Sequence, residues 1–144
     1  MTADLLLKGK NGVKCIVLNN INSFAISDTN GVLYTYDPHA YRKVSGIYSK
    51  TNLYGIINHD NMLLYPDIDE YKSKRLNLYE VFIPEFNDKE SLIIAANGYD
   101  HNTYTNEVLF KVMDGNRVNV VAIINLNNIS GFRLYEYTKP EVID

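Results

Sequence analysis

Apolar and polar residues alternate with a period of two along much of the chain, and short clusters rich in Asn or Gly interrupt the alternation. A period of two is what a strand with one side on a core requires. Leu5 to Lys8 and Val13 to Leu18 flank Gly9-Lys10-Asn11-Gly12, whose Asn-Gly pair supplies the positive φ angles of a hairpin reversal. Asn19-Asn20 then separates Val13 to Leu18 from Ile21 to Ser27. Ser27-Asp28-Thr29-Asn30-Gly31 signals another hairpin before Val32 to Tyr36, where Leu33 takes one face and Val32, Tyr34 and Tyr36 the other. Late in the chain, Tyr79 to Ile83, Ser91 to Ala96, Glu107 to Met113, Arg117 to Leu126 and Gly131 to Tyr137 predict strands, with Asp114-Gly115-Asn116 as a hairpin turn.

The middle changes character. Asp37-Pro38 resembles an N-cap followed by a first-turn proline, and Ala40, Tyr41 and Val44 recur at helical spacing before Gly46, which predicts a short helix. Pro66-Asp67-Ile68-Asp69-Glu70 opens a second one, with an acidic first turn, basic Lys72, Lys74 and Arg75 beyond it, and Ile68, Tyr71, Arg75 and Leu76 on a shared side. Segment 47–65 is mixed, with strands at Leu53 to Ile57 and Met62 to Tyr65, and the polar stretch Gly98 to Asn106 reads as a loop. The fold class expected is a β-rich α+β domain, in which antiparallel meanders form a small barrel or sandwich with two short inserted helices. At 144 residues, positions 1–144 suit a single domain. An internal echo links Leu18-Asn19-Asn20-Ile21-Asn22-Ser23-Phe24-Ala25-Ile26 to Leu126-Asn127-Asn128-Ile129-Ser130-Gly131-Phe132-Arg133-Leu134, five of nine positions being identical. Each copy predicts a strand, an Asn-Asn reversal and a strand whose Phe points inward, so two meanders related by a pseudo-dyad are one way to build the domain.

Composition narrows the functional classes. Apolar residues at 46% and charged ones at 22% are ordinary globular values. A net charge of -3 argues against general affinity for duplex nucleic acid, where several phosphates must be neutralised. Cys15 has no second cysteine for a disulfide or a metal cluster and reads as a buried small hydrophobe in an apolar run. The N-terminus offers only Leu5-Leu6-Leu7 where a secretory signal needs about 7 to 15 apolar residues, and no run of about 18 apolar residues could cross a bilayer. A cytoplasmic location without membrane contact is therefore expected. Eighteen Asn, 14 Ile and 12 Tyr beside no Trp are what an AT-rich genome encodes, pointing to a low-GC bacterium, its phage or a mobile element.

Chemistry-bearing motifs are sparse. His101-Asn102-Thr103 and His59-Asp60-Asn61 resemble the paired His-x-Thr/Ser units of the 2H phosphoesterases, with Asn61 standing where that pattern has a hydroxyl. The resemblance implies a phosphodiesterase using His59 and His101 as general acid and base. Adjacent ligand types such as His59-Asp60 and Asp100-His101 point to opposite faces of an extended chain, so no metal and no cofactor is assigned. Nucleotide-cradling glycine motifs and a nucleophile elbow are absent. What remains is Tyr beside a cation, in Tyr41-Arg42-Lys43, Tyr71 to Arg75 and Arg133-Leu134-Tyr135. A flat ring next to a guanidinium can stack a base and hold a phosphate. The expectation is a non-catalytic binding protein, an accessory factor of a phage or mobile element, capturing a small anionic ligand such as a (cyclic) nucleotide through Tyr41, Arg42, Tyr71, Arg75, His101, Tyr104 and Arg133. The alternative is a protein-interaction domain that inhibits or scaffolds a partner. Sheet edges in such a domain can extend across a two-fold axis into a homo-oligomer, although the sequence supplies no register for this.

Overall fold

The computed structural model describes residues 1–63, 75–86 and 92–135. Among the described residues the structure is strand-rich, 69% strand, with antiparallel sheets and no closed barrel. In chain order the strands are β1 (Ala3–Gly9), β2 (Gly12–Leu18), β3 (Ile21–Ile26), β4 (Asn30–Asp37), β5 (Tyr41–Ser49), β6 (Leu53–Asn58) and β7 (Met62–Leu63). They continue with β8 (Asn77–Phe82), β9 (Leu92–Ala96), β10 (Gly98–Asn102), β11 (Glu107–Asp114), β12 (Arg117–Asn125) and β13 (Gly131–Leu134). Among the described residues the only helical pieces are single 3-10 turns at Lys50–Asn52, His59–Asn61 and Leu126–Asn128.

Three sheets result. A six-stranded sheet runs β10-β11-β12-β6-β1-β2, a four-stranded one β13-β8-β9-β7, and a three-stranded one β3-β4-β5. The large sheet is the middle layer, because each of its faces feeds a different core. Leu6, Tyr54, Ile57 and Phe110 pack with Tyr79, Val81 and Ile94 of the four-stranded sheet. On the other side Ala3, Leu5, Leu53 and Ile56 pack with Ile21, Phe24 and Leu33 of the three-stranded sheet. A strand covered on both faces loses its alternation and becomes a continuous apolar run. That accounts for the unbroken burial of residues 3–6 in β1 and 53–57 in β6. It also accounts for Asp4, which is 1% exposed on a face otherwise apolar and is satisfied by His59 Nδ1 at 2.8 Å.

Gly55 fixes the middle of that sheet. A Cβ there would lie 2.4 Å from the Ile123 carbonyl oxygen, so only glycine lets β12 approach β6 this closely. Tyr54 beside it is the extra residue of a bulge, since Leu6 pairs with Gly55 and Leu7 with Leu53. The bulge turns the Tyr54 ring into the core shared with the four-stranded sheet.

Several expectations hold at the level of individual turns. A reversal closes β1 on β2 with Gly9 opposite Gly12, but its turn residues are Lys10-Asn11, and of the Asn-Gly pair only Gly12, at φ 127°, takes the positive angle expected. Asp114 pairs with Arg117 around Gly115, whose φ of 60° is left-handed. Asn20 takes φ 61°, as a reversal at Asn19-Asn20 requires.

Others are corrected. The short helix expected after Asp37-Pro38 is a hairpin between β4 and β5, with Asp37 paired to Tyr41 and Tyr36 to Arg42. Asp37 Oδ1 accepts a hydrogen bond from the His39 amide at 2.7 Å, so the residue starts a side-chain-stabilised turn instead of capping a helix. Tyr41 then leaves the turn with φ 62°. The Tyr- and Val-rich flanks prefer the pleated sheet, which outweighs the helical spacing of Ala40, Tyr41 and Val44. The stretch Gly98 to Asn106 is likewise no simple loop, because Gly98–Asn102 forms β10. As an edge strand paired only with β11, with Tyr99, Asp100 and His101 all exposed, it shows no apolar alternation. The second expected helix falls mainly on residues 64–74 and, with Tyr71, lies outside the described residues.

The two echo segments share a role in the topology but not a conformation. Each carries the chain out of the six-stranded sheet, from β2 into β3 and from β12 into β13. Phe24 and Phe132 both turn toward a core. The first crossing is a left-handed Asn20, whereas the second is a 3-10 turn held by side chains.

Candidate functional site

The largest group of exposed apolar and aromatic side chains that sequence reasoning touched lies on the hairpin β4–β5. Register places Ile47 opposite Val32, Val44 opposite Tyr34 and Arg42 opposite Tyr36, with a bulge between Leu33 and Tyr34. Leu33, on the other face, is buried against Phe24. The outer face is thus formed by Val32, Tyr34, Tyr36, Arg42, Val44 and Ile47, with Tyr41 at its end. Tyr36 is 48% exposed, Tyr41 74%, Val44 54% and Ile47 65%. The Arg42 guanidinium carbon sits 4.4 Å above the centre of the Tyr34 ring, a cation–π contact that holds a flexible cation in place. Tyr36 and Tyr41 meet edge to face at 6.5 Å.

Of the remaining expected site residues, Tyr71 lies outside the described residues, and Arg75, His101, Tyr104 and Arg133 do not gather here. Arg133 lies over the Phe82 ring at 5.3 Å, on β13. Arg75 takes φ 57° just before β8, and its carbonyl accepts from Asn97 Nδ2 at 3.2 Å. Arg133 pairs with Glu80, five residues further along, which puts the Arg75 and Arg133 backbones on the order of 15 Å apart at the strand rise. Arg42 belongs to a different sheet. His101 and Tyr104 are together in the β10–β11 hairpin, where His101 Nε2 contacts Asn106 Oδ1 at 2.9 Å and Tyr104 is 94% exposed.

The register also separates the two histidines of the phosphoesterase-like pattern. His101 aligns through Val108 and Ile124 with Gly55, three strands away, and His59 lies four residues beyond Gly55. Measured along the sheet that is on the order of 20 Å, too far for one phosphate. His59 is instead engaged with Asp4, whose carboxylate also meets the Cys15 thiol at 3.8 Å. Burial pushes the Cys15 thiol above its ordinary value, and the charge and hydrogen bond of Asp4 push it the same way. A thiol so placed is protonated at neutral pH and is a poor nucleophile. Among the described residues no group of three or more His, Cys, Asp or Glu side chains could hold a metal ion.

Two further features were not signalled by the sequence. A cleft of about 290 Å³ opens between the three-stranded sheet and the central one, its apolar wall including Phe24, Ile56, Leu109 and Ile123 and its polar part Asn22, Ser23 and Asn58. None of the cationic residues expected to bind an anion lines it.

The second feature is a buried polar knot that fixes the turns beside β6. Asn125, fully buried, donates through Nδ2 to the carbonyls of Lys50 at 3.0 Å and Leu53 at 2.9 Å. Asn128 donates to the same two at 2.9 and 2.7 Å. Lys50, only 7% exposed, gives its ammonium to the Thr105 carbonyl at 2.5 Å. Burial raises the nearby Glu107 carboxyl above the usual range, with Thr105, Lys50 and Asn102 offsetting part of the shift. These groups serve the fold, each facing inward.

No protein-family model matches the chain, and no curated protein or solved structure matches it either. Among the described residues, no helix is long and apolar enough to cross a membrane.

Proposed function

We propose that the chain is a non-catalytic binding protein that engages a protein partner through the outer face of β4–β5. The observation that carries this is the exposure of Tyr36, Tyr41, Val44 and Ile47 around an Arg42 already seated on Tyr34. Tyr and Arg are the residues in which interface hot spots are enriched, because they offer large contact area with little freedom to lose. Arg42 and the neighbouring Lys43 favour a partner that presents a carboxylate above an apolar patch. The dispersal of Arg42, Arg75 and Arg133 supports this reading over a single anion pocket built from all three. Composition supports an accessory role in a low-GC bacterium, in a phage or a mobile element.

The test is photo-crosslinking from position 36 inside the source cell, with and without Val44→Asp or Ile47→Asp. One protein should be captured by the parent chain and lost from both variants, with thermal melting unchanged. Equal capture by the variants removes the proposal.

A second reading rests on the same residues. Tyr41 beside Arg42 is an aromatic–cation pair of the sequence expectation that stands on an exposed face with further rings at hand. A small anionic ligand such as a nucleotide would stack on Tyr41 and place its phosphate on Arg42. Under that reading a nucleotide raises the melting temperature of the parent chain but not of Arg42→Ala, and the Ile47→Asp variant still binds it.

A further inference from the structure

Strands that end a sheet must be protected from pairing with other chains, and most of those here are. β5 carries a bulged partner register and the cations Arg42 and Lys43, β3 is broken by a register shift, and β10 is short and holds Asp100 and His101. β13 has four residues including Arg133. β2 differs from them. Its seven residues pair with β1 without a register shift, contain no proline, and include Lys14 as their one charge.

The hairpin geometry says which backbone groups of β2 point outward. Gly9 and Gly12 close a two-residue turn and therefore exchange both hydrogen bonds, and pairs alternate from there. Gly12, Lys14, Ile16 and Leu18 thus spend their N–H and C=O groups on β1. Val13, Cys15 and Val17 turn theirs to the open edge, where no backbone partner occurs among the described residues. Their side chains share one face, on which Cys15 is exposed and Val17 is 55% exposed.

This pattern is complementary to itself. We propose that two copies of the chain pair antiparallel through β2 about a two-fold axis at Cys15, joining their six-stranded sheets into one. In this register Val13 faces the partner's Val17 and Cys15 faces the partner's Cys15, so every outward group of the strand finds a mate. A symmetric shift by one residue in either direction matches two of the three outward residues, and one of those shifts sets the two Lys14 side chains directly opposite each other. Like charges in that position are destabilising. In the proposed register Lys14 faces the partner's Ile16.

The experiment uses the full chain and a short thiol-to-thiol cross-linker. Cys15 of the parent chain should give a covalent dimer whose yield follows the dimer fraction in sedimentation. Val17→Lys places a charge on the edge, and Val17→Pro removes an outward N–H that β1 does not use. Each should lower the cross-linked fraction by about tenfold or more, a step of about 1.4 kcal/mol in association. Circular dichroism checks that the variants fold, and Val17→Lys keeps the test decisive if the proline variant does not. Register is read in a Cys15→Ser background. Val13→Cys mixed with Val17→Cys should cross-link, while neither alone does. A monomer at all concentrations, a dimer indifferent to both substitutions at Val17, or cross-linking of Val13→Cys to itself overturns the proposal.

Discussion

Asn125 and Asn128 reach the same two carbonyl oxygens, and this redundancy can be measured. Asn125→Ala removes two donated bonds, to Lys50 and Leu53, and one accepted from the Asn127 amide. At about 1 kcal/mol net for each, the loss is about 3 kcal/mol. Asn128→Ala removes an amide whose two hydrogens are shared among the carbonyls of Lys50, Thr51 and Leu53, for about 1 to 2 kcal/mol. After either change one amide still serves both shared oxygens. After both, the Lys50 carbonyl keeps only the Leu53 amide of its 3-10 turn, and the Leu53 carbonyl loses both of its side-chain donors, which adds about 1 to 3 kcal/mol at Leu53. The double variant should therefore exceed the sum of the singles by about 1 kcal/mol or more, read from urea unfolding at matched slopes. A double variant that fails to fold still sets a lower bound on its loss, equal to the stability of the parent chain. Additivity within about 0.5 kcal/mol would refute the shared clamp, because independent sites behave that way.

Two further substitutions test other parts of the design. Gly55→Ala forces a Cβ against the Ile123 carbonyl and should cost about 2 to 4 kcal/mol, whereas Gly98→Ala, with no atom within 4 Å of the new Cβ, should stay within about 0.5 kcal/mol; equal melting temperatures for the two would contradict the close approach of β12 to β6. Glu107 binds its proton more tightly when folded, so its contribution to stability is full below the ordinary value of 4.5 and falls as pH rises through the raised folded value. Glu107→Gln should remove that fall, making the variant gain on the parent chain across this window and level off above it; a difference that does not change with pH counts against the burial effect.

Local turn chemistry was legible in the sequence because it depends on few residues. Gly12, Asn20 and Gly115 each take a positive φ at a reversal, and the strands they join fall close to the expected limits. The error at Asp37-Pro38 has a physical source, since an Asp that accepts from the amide two residues on serves a turn as well as a helix start. Only pairing with β4 decides between them. The three-layer arrangement was not legible either. The residues of β1 and β6 read as apolar runs, and nothing local says that a run is buried from two sides. The outer face of β4 was visible as the alternation of Val32, Tyr34 and Tyr36, but its continuation through Val44 and Ile47 was hidden by the helix reading of β5. The cleft, lined by residues from strands distant in sequence, left no local pattern at all.

The layering also bears on where function can reside. A central sheet with cores on both faces has spent its inward side chains on packing, and its buried titratable groups are engaged: Asp4 with His59, Lys50 with a backbone carbonyl, Glu107 in a buried polar cluster. What such a sheet leaves free is backbone at its margins and the solvent side of its outermost layer. β2 supplies the first, with three outward residues in a self-matching register. The β4–β5 hairpin supplies the second, with rings and a cation held ready. The two surfaces use different elements, so a dimer through β2 leaves both β4–β5 faces available to partners. If that is so, disrupting β2 should weaken a bivalent partner's binding while leaving a monovalent one untouched, because linking two sites gains avidity without any new contact.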